Sequence, residues 1–145
     1  MNINKISDKA GLLLSIETLG FVGGALGIAP IEQAKGNSDG LGAISIPLFT
    51  NCTVTANAII DQNITSNLTN NKVIQYSAMA IIPVIVGVGV AKVIDAQHGL
   101  IAGVQALLTS FAFKYGANKI DQYYDEIDST SSQTLESFEL NQEVL

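Results

Sequence analysis

The run VIQYSAMAIIPVIVGVGVA, from Val73 to Ala91, carries no charge and is fenced by Lys72 and Lys92. About 20 apolar residues in a helix match the hydrocarbon thickness of a bilayer, so this block predicts a transmembrane helix. Pro83 falls inside it and predicts a kink, tolerated where neighbouring helices satisfy the freed carbonyl. Gly87 and Gly89 just beyond would let another backbone come close or the helix bend.

Two further blocks share that character. The first runs from Ala10 to Ala29 (AGLLLSIETLGFVGGALGIA), entered through Lys5 and Lys9 and stopped by Pro30, giving a predicted hydrophobic helix over 10–30. A basic start before an apolar run also fits a signal peptide. Glu17 inside the run and Pro30 where cleavage would fall favour retention of the segment as a helix. After the charged turn KVIDAQHG, Leu100 to Phe113 (LIAGVQALLTSFAF) is short for a span. Lys114 and Tyr115 extend it by snorkelling, which predicts a helix over 99–117 forming a hairpin with 73–91.

Composition agrees with an apolar setting. Charged residues make up 14% of the 145 residues, against about 25% in ordinary globular chains, and mean hydropathy is +0.35. The formal net charge is -6 and all seven basic residues are lysine. Without arginine's bidentate fork, and with a field that repels polyanions, direct nucleic-acid binding is not expected. Cys52 is the single cysteine, so an intrachain disulfide and a thiolate metal cluster are both ruled out, leaving a free thiol or an interchain bridge.

Residues 31–72 read as an exposed polar linker. It opens with EQAKGNSDG, where Gly36 and Gly40 favour turns. LGAISIPLF then either dips into the interface or packs on the helices. The tract NCTVTANAIIDQNITSNLTN follows, compatible with a short helix or a strand pair. It holds three Asn-x-Ser/Thr matches, at Asn51, Asn63 and Asn67. These are candidate glycosylation sites or simply part of a solvated loop, and both readings place the tract in water. Lysine counts near the block ends put the N-terminus inside and this loop outside, although Lys114 and Lys119 oppose that scheme for a three-span chain. At the other end, Ile120, Tyr123, Tyr124 and Ile127 mark one face of an amphipathic helix. STSSQT is expected to break it before an acidic tail, within 118–145.

Small residues recur at helical spacing: Gly20 with Gly24, Gly23 with Gly27, Gly99 with Gly103, and Ala102, Ala106 and Ser110 along the third block. In lipid, close backbone approach through small residues does much of the work of helix pairing, so these positions predict tight packing within or between subunits. Glu17 shares a face with Gly20, Gly24 and Gly27 and is therefore a buried acid. It reads as a structural hydrogen-bonding acid in preference to an ion or proton site, since the apolar blocks contain no second acid or histidine. His98 and Asp95 read as turn and capping residues. No HExxH, CxxC or phosphate-loop pattern occurs, so no enzyme, no catalytic or metal residue and no cofactor is expected.

The whole chain therefore reads as one all-α, membrane-type domain of about three hydrophobic helices, an N-terminal helix plus a hairpin, with a long polar linker and an acidic tail. With its Asn/Thr-rich tract and the Pro-containing run IIPVIVGVGV, the stretch from about Ala10 to Ala91 resembles the coat proteins of archaeal spindle-shaped viruses. The linker, third block and tail depart from their pattern. The resemblance implies many copies packed in a virion shell, the polar loop facing outward, with copies of itself and lipid or apolar helices as partners. A holin-like pore and a non-catalytic accessory subunit of a membrane complex are the alternative classes. Holin tails are usually basic, and this one is acidic.

Overall fold

Among the described residues, three breaks separate four helices. The first is a turn in which Gly36 and Gly40 take positive φ, 80° and 66°, a conformation open to glycine. The second is a short connection ending at Asn71, whose side chain caps the next helix by accepting from the Val73 N–H at 2.9 Å. The third is the turn at Asp95, whose Oδ1 accepts from the N–H groups of Gln97 (2.9 Å) and His98 (3.0 Å). The computed structural model describes residues 3–36, 40–65 and 68–142, with side chains up to residue 130. It comprises α1 (Ile3–Ala34), α2 (Leu41–Ile60) continued by one π-helical turn (Asp61–Thr65), α3 (Lys72–Val93) and α4 (Ala96–Gln142).

The all-helical class agrees with the sequence reading; the helix count does not. The predicted linker 31–72 contains a full helix. Its polar residues do not need water, because their side chains bond within the helix or to its neighbours. Ser45, Thr50 and Thr53 donate to the carbonyl oxygens of Leu41 (2.7 Å), Ile46 (2.8 Å) and Phe49 (2.9 Å), each four residues back. Asn51 and Asn57 turn inward and bond to other helices. An Asn/Thr-rich stretch is hydrophilic by composition, yet it can sit in an apolar helix when its groups are bonded in this way.

Two predicted helix ends also move. Pro30 lies inside α1, which continues to Ala34; the turn beyond the proline is held by Glu32, buried against the start of α4. STSSQT does not end α4. Ser129 and Thr130 both donate to the Glu126 carbonyl (2.8 and 2.9 Å), so the hydroxyls are satisfied inside the helix. The third block, the amphipathic segment and the tail up to Gln142 form one 47-residue helix, about 70 Å long.

Contacts fix the topology. Along α1, Lys9 meets Asp121, Leu12 meets Gly116 and Glu32 meets His98, so α1 and α4 are antiparallel. Pro47 and Asn57 of α2 and Asp61 of its π-helical turn meet Gln105, Ser110 and Lys114 in the same order, making α2 parallel to α4. Gly87 lies beside Gly103, and Ala91 beside Gly99, so α3 is antiparallel to α4. The result is an up-down-up-down four-helix bundle. It places the α1–α2 and α3–α4 connections at one end, and the start of α1 and the α2–α3 connection at the other.

Its surface is inverted relative to a water-soluble bundle. Large apolar side chains face outward on every helix, among them Leu14, Leu26, Leu48, Phe49, Val84, Ile85, Leu100 and Leu108, while Glu32, Asn57, Asp61, His98, Gln105 and Lys114 are buried. Ile3–Ala34, Leu41–Thr65, Lys72–Val93 and Ala96–Thr130 are each long and apolar enough to cross a membrane.

Candidate functional site

The buried polar side chains fall in three layers along α4. At the first, His98 is fully buried and each ring nitrogen faces a carboxylate: Nε2 lies 2.6 Å from Glu32 Oε1 and Nδ1 lies 2.7 Å from Asp95 Oδ2. Lys35 pairs with the same Asp95 oxygen. The four groups tie the end of α1 to the α3–α4 turn, and Glu32 packs over Gly42 at the start of α2. His98 is thus a cross-link between elements, and the capping role at this turn falls to Asp95. The Lys35 ammonium, followed by the His98 backbone N–H, holds the Asp95 carboxyl well below the usual carboxylate range. A depressed carboxyl stabilises the fold above its unfolded-state value of about 3.9, and that contribution is lost as pH falls through the folded-state value. Unfolding midpoints followed between pH 6 and 2 are therefore expected to fall more steeply below pH 4 in the native chain than in Asp95→Asn.

The second layer is uncharged except for Glu17. Gln105 Nε2 donates to Asn51 Oδ1 (3.1 Å) and Asn51 Nδ2 donates to the Glu17 carbonyl oxygen (2.7 Å), while Thr55 donates to the Glu17 carboxylate. Nearby, Asn57 Nδ2 is shared between the Met79 carbonyl (3.0 Å) and Ser110 Oγ (3.2 Å). Glu17 is half-buried and hydrogen-bonded across a helix interface. Asn51, a candidate glycan acceptor in the sequence, has its amide engaged on both sides inside this layer. Asn63 stands in the π-helical turn and donates to the Ile59 carbonyl (2.8 Å), and Asn67 lies outside the described residues.

The third layer is an ion pair, Lys114 Nζ to Asp61 Oδ2 at 2.6 Å, with side chains only 4% and 2% exposed. Toward the bundle end, Lys9 and Lys5 both reach Asp121 (2.7 and 3.0 Å). From His98 to Gln105 the helix rises about 10 Å, and from Gln105 to Lys114 about 14 Å.

Apolar packing separates the first layer from the second and flanks the third. Ile28, Ile46, Val86, Val90 and Ala102 form one cluster between the first and second. Ala58, Phe113 and Ala117, with Leu12, Leu13 and Ile16, form another beside the third and between it and Glu17. The arrangement holds polar groups in fixed pairs, and Asn57 with Ser110 stands one helical turn from Asp61 with Lys114, so the second and third layers adjoin.

The predicted small-residue faces are placed mostly inside the chain. Gly20 and Gly24 lie against Thr109 and Gln105, Gly27 against Ile101, and Gly99 and Gly103 against Gly87 and Ala91; Ala102, Ala106 and Ser110 are buried. Gly23 alone among the named α1 glycines has open space where a side chain would begin. Pro83 lies buried in α3, its carbonyl facing Gly103.

Sequence reasoning missed Glu32, Asp61, Gln105 and Lys114 as interior groups. A signal was present: His98, Gln105 and Thr109 stand at i, i+7 and i+11, one face of a helix. Drawing the third block at apolar residues alone hid it. Neither a protein-family model, a curated protein nor a solved structure matches the chain.

Proposed function

We propose that this chain is a structural, non-catalytic integral membrane protein of four spans that acts by assembling with copies of itself, its setting being a virion shell or virion membrane as the coat-protein resemblance implies. The observation that carries the structural reading is the layered interior. Buried charges are paired, both nitrogens of His98 are engaged, and apolar clusters lie between and beside the polar layers. Such an interior fixes helix register, the best-attested use of buried polar groups. The outward apolar side chains on all four helices suit lipid and neighbouring copies.

Four spans also resolve the lysine distribution. Lys5, Lys9, Lys72, Lys114 and Lys119 belong to one end of the bundle, and Lys35 and Lys92 to the other. By the positive-inside rule the first end, with the start of α1 and the extension of α4, faces inward.

Cys52 is exposed on α2 and is the only thiol, so it reports on neighbouring copies directly. Thiol cross-linking in native membranes or particles is expected to give a discrete dimer band that Cys52→Ser abolishes, while vesicles containing the protein retain a trapped dye. A monomer at every cross-linker length would contradict self-assembly, and rapid dye release would favour the pore class.

A further inference from the structure

The end of the bundle bearing Lys9 and the π-helical turn contains a cavity of about 190 Å³ bordered by Lys9, Asp61, Gln62, Lys114 and Asp121. Two atoms there are buried without a hydrogen-bond partner: Asp61 Oδ1, an acceptor on a residue 2% exposed, and Gln62 Nε2, a donor. Leaving a buried group unsatisfied is costly, so the pair asks for a ligand that both donates and accepts. The surrounding charges balance, with Lys9 and Lys114 against Asp61 and Asp121. A ligand of net charge would upset that balance, whereas a zwitterion preserves it.

A second cavity, about 570 Å³, shares Lys9, Gln62 and Asn63 with the first. It continues between α1 and α2 over Ile6, Ala10, Leu13, Ala58, Ile59 and Phe113, with Lys5 and Asp128 also on its lining. Inward from Lys9, which it shares with the first cavity, to Leu13 it follows α1 for about 6 Å, the outer part of the ~15 Å depth of one leaflet. A polar, charge-balanced pocket opening onto an apolar groove is the shape of a lipid site at the membrane interface.

We propose that this end of the bundle binds one phospholipid whose headgroup joins a phosphate to a primary ammonium, the ethanolamine class, its acyl chain lying in the α1–α2 groove. The ammonium donates to Asp61 Oδ1 and a phosphate oxygen accepts from Gln62 Nε2. A choline headgroup has no N–H to give Asp61, and a glycerol headgroup has no cation. The site rests on the membrane reading above, which is tested separately by whether the chain fractionates with membranes before any detergent is added.

The experiment is native mass spectrometry of the full chain in detergent, titrated with phosphatidylethanolamine, phosphatidylcholine and phosphatidylglycerol of identical acyl chains. The expected result is a one-to-one ethanolamine-lipid adduct at concentrations about tenfold lower than the other two, the scale of a lost hydrogen bond to a charged group. Gln62→Met keeps side-chain length and removes the donor to the phosphate that all three lipids share; it is expected to weaken their binding several-fold alike and to leave the order of preference in place. Asp61→Asn weakens the partner of the ammonium and is expected to bring the ethanolamine lipid down to the level of the choline lipid; if it unfolds, the three-lipid comparison in the native chain and the common loss in Gln62→Met carry the test. Equal retention of all three lipids by the native chain, undiminished ethanolamine-lipid binding in Gln62→Met, or displacement of the lipid by an equal concentration of free phosphoethanolamine would each overturn the proposal.

Discussion

Lys114→Met is expected to destabilise the bundle by about 3–5 kcal/mol, the usual consequence of removing one partner from a buried ion pair. Both side chains are almost fully enclosed, and Asp61 Oδ1 already lacks a protein partner. Without the ammonium, Asp61 would keep a buried charge without its ion-pair partner. The double variant Lys114→Met/Asp61→Leu removes the charge together with its partner. It should recover most of the loss, since a buried pair replaced by apolar groups of similar volume is often neutral or better. Reversible unfolding in mixed micelles, followed by helicity, measures both. A single variant that unfolds within about 0.5 kcal/mol of the native chain would mean that the pair is solvated.

Gly99→Ala is expected to cost about 1–3 kcal/mol or more, the range for forcing extra atoms into a packed interior. A Cβ built at Gly99 would lie 2.6 Å from the Ala91 backbone nitrogen and against the Gly87 carbonyl, and backbone atoms cannot move aside as a side chain can. The α3–α4 hairpin must separate to admit it. Gly23→Ala provides the control. Nothing stands within 4 Å of its Cβ position, so the higher helix propensity of alanine should raise stability by up to about 1 kcal/mol. Equal effects at Gly99 and Gly23 would mean that α3 and α4 do not approach as closely as described.

The uncharged run Val73–Ala91 and the block from Ala10 were legible as helices because apolar length is a property of local sequence. The turns at Gly36 and Gly40 were legible through glycine's tolerance of positive φ. Helix α2 was not. Ser45, Thr50, Thr53, Asn51 and Asn57 lower the local hydropathy, and their bonds to carbonyls one turn back or across the bundle become apparent only when the partners are in place. The same holds for His98 and Glu32, 66 residues apart, and for Lys114 and Asp61, 53 apart. Long-range polar pairing leaves no local periodicity, so a chain read block by block assigns its members to loops and ends. Missing α2 also created the conflict over Lys114 and Lys119: an odd number of spans puts the end of α4 opposite the N-terminal lysines, and the proposed four spans put them on one side.

The central claim is that α2 crosses with the other three helices, and side-specific thiol labelling in sealed, uniformly oriented vesicles tests it most directly. In a Cys52→Ser background, single cysteines replace Asn4 near the start of α1, Ser129 beyond the bundle on α4, and Val93 at the α3–α4 turn. Four spans predict that an impermeant maleimide reaches Asn4→Cys and Ser129→Cys from one side and Val93→Cys from the other. Labelling of Asn4→Cys and Ser129→Cys from opposite sides would contradict the four-span bundle and return α2 to a peripheral segment.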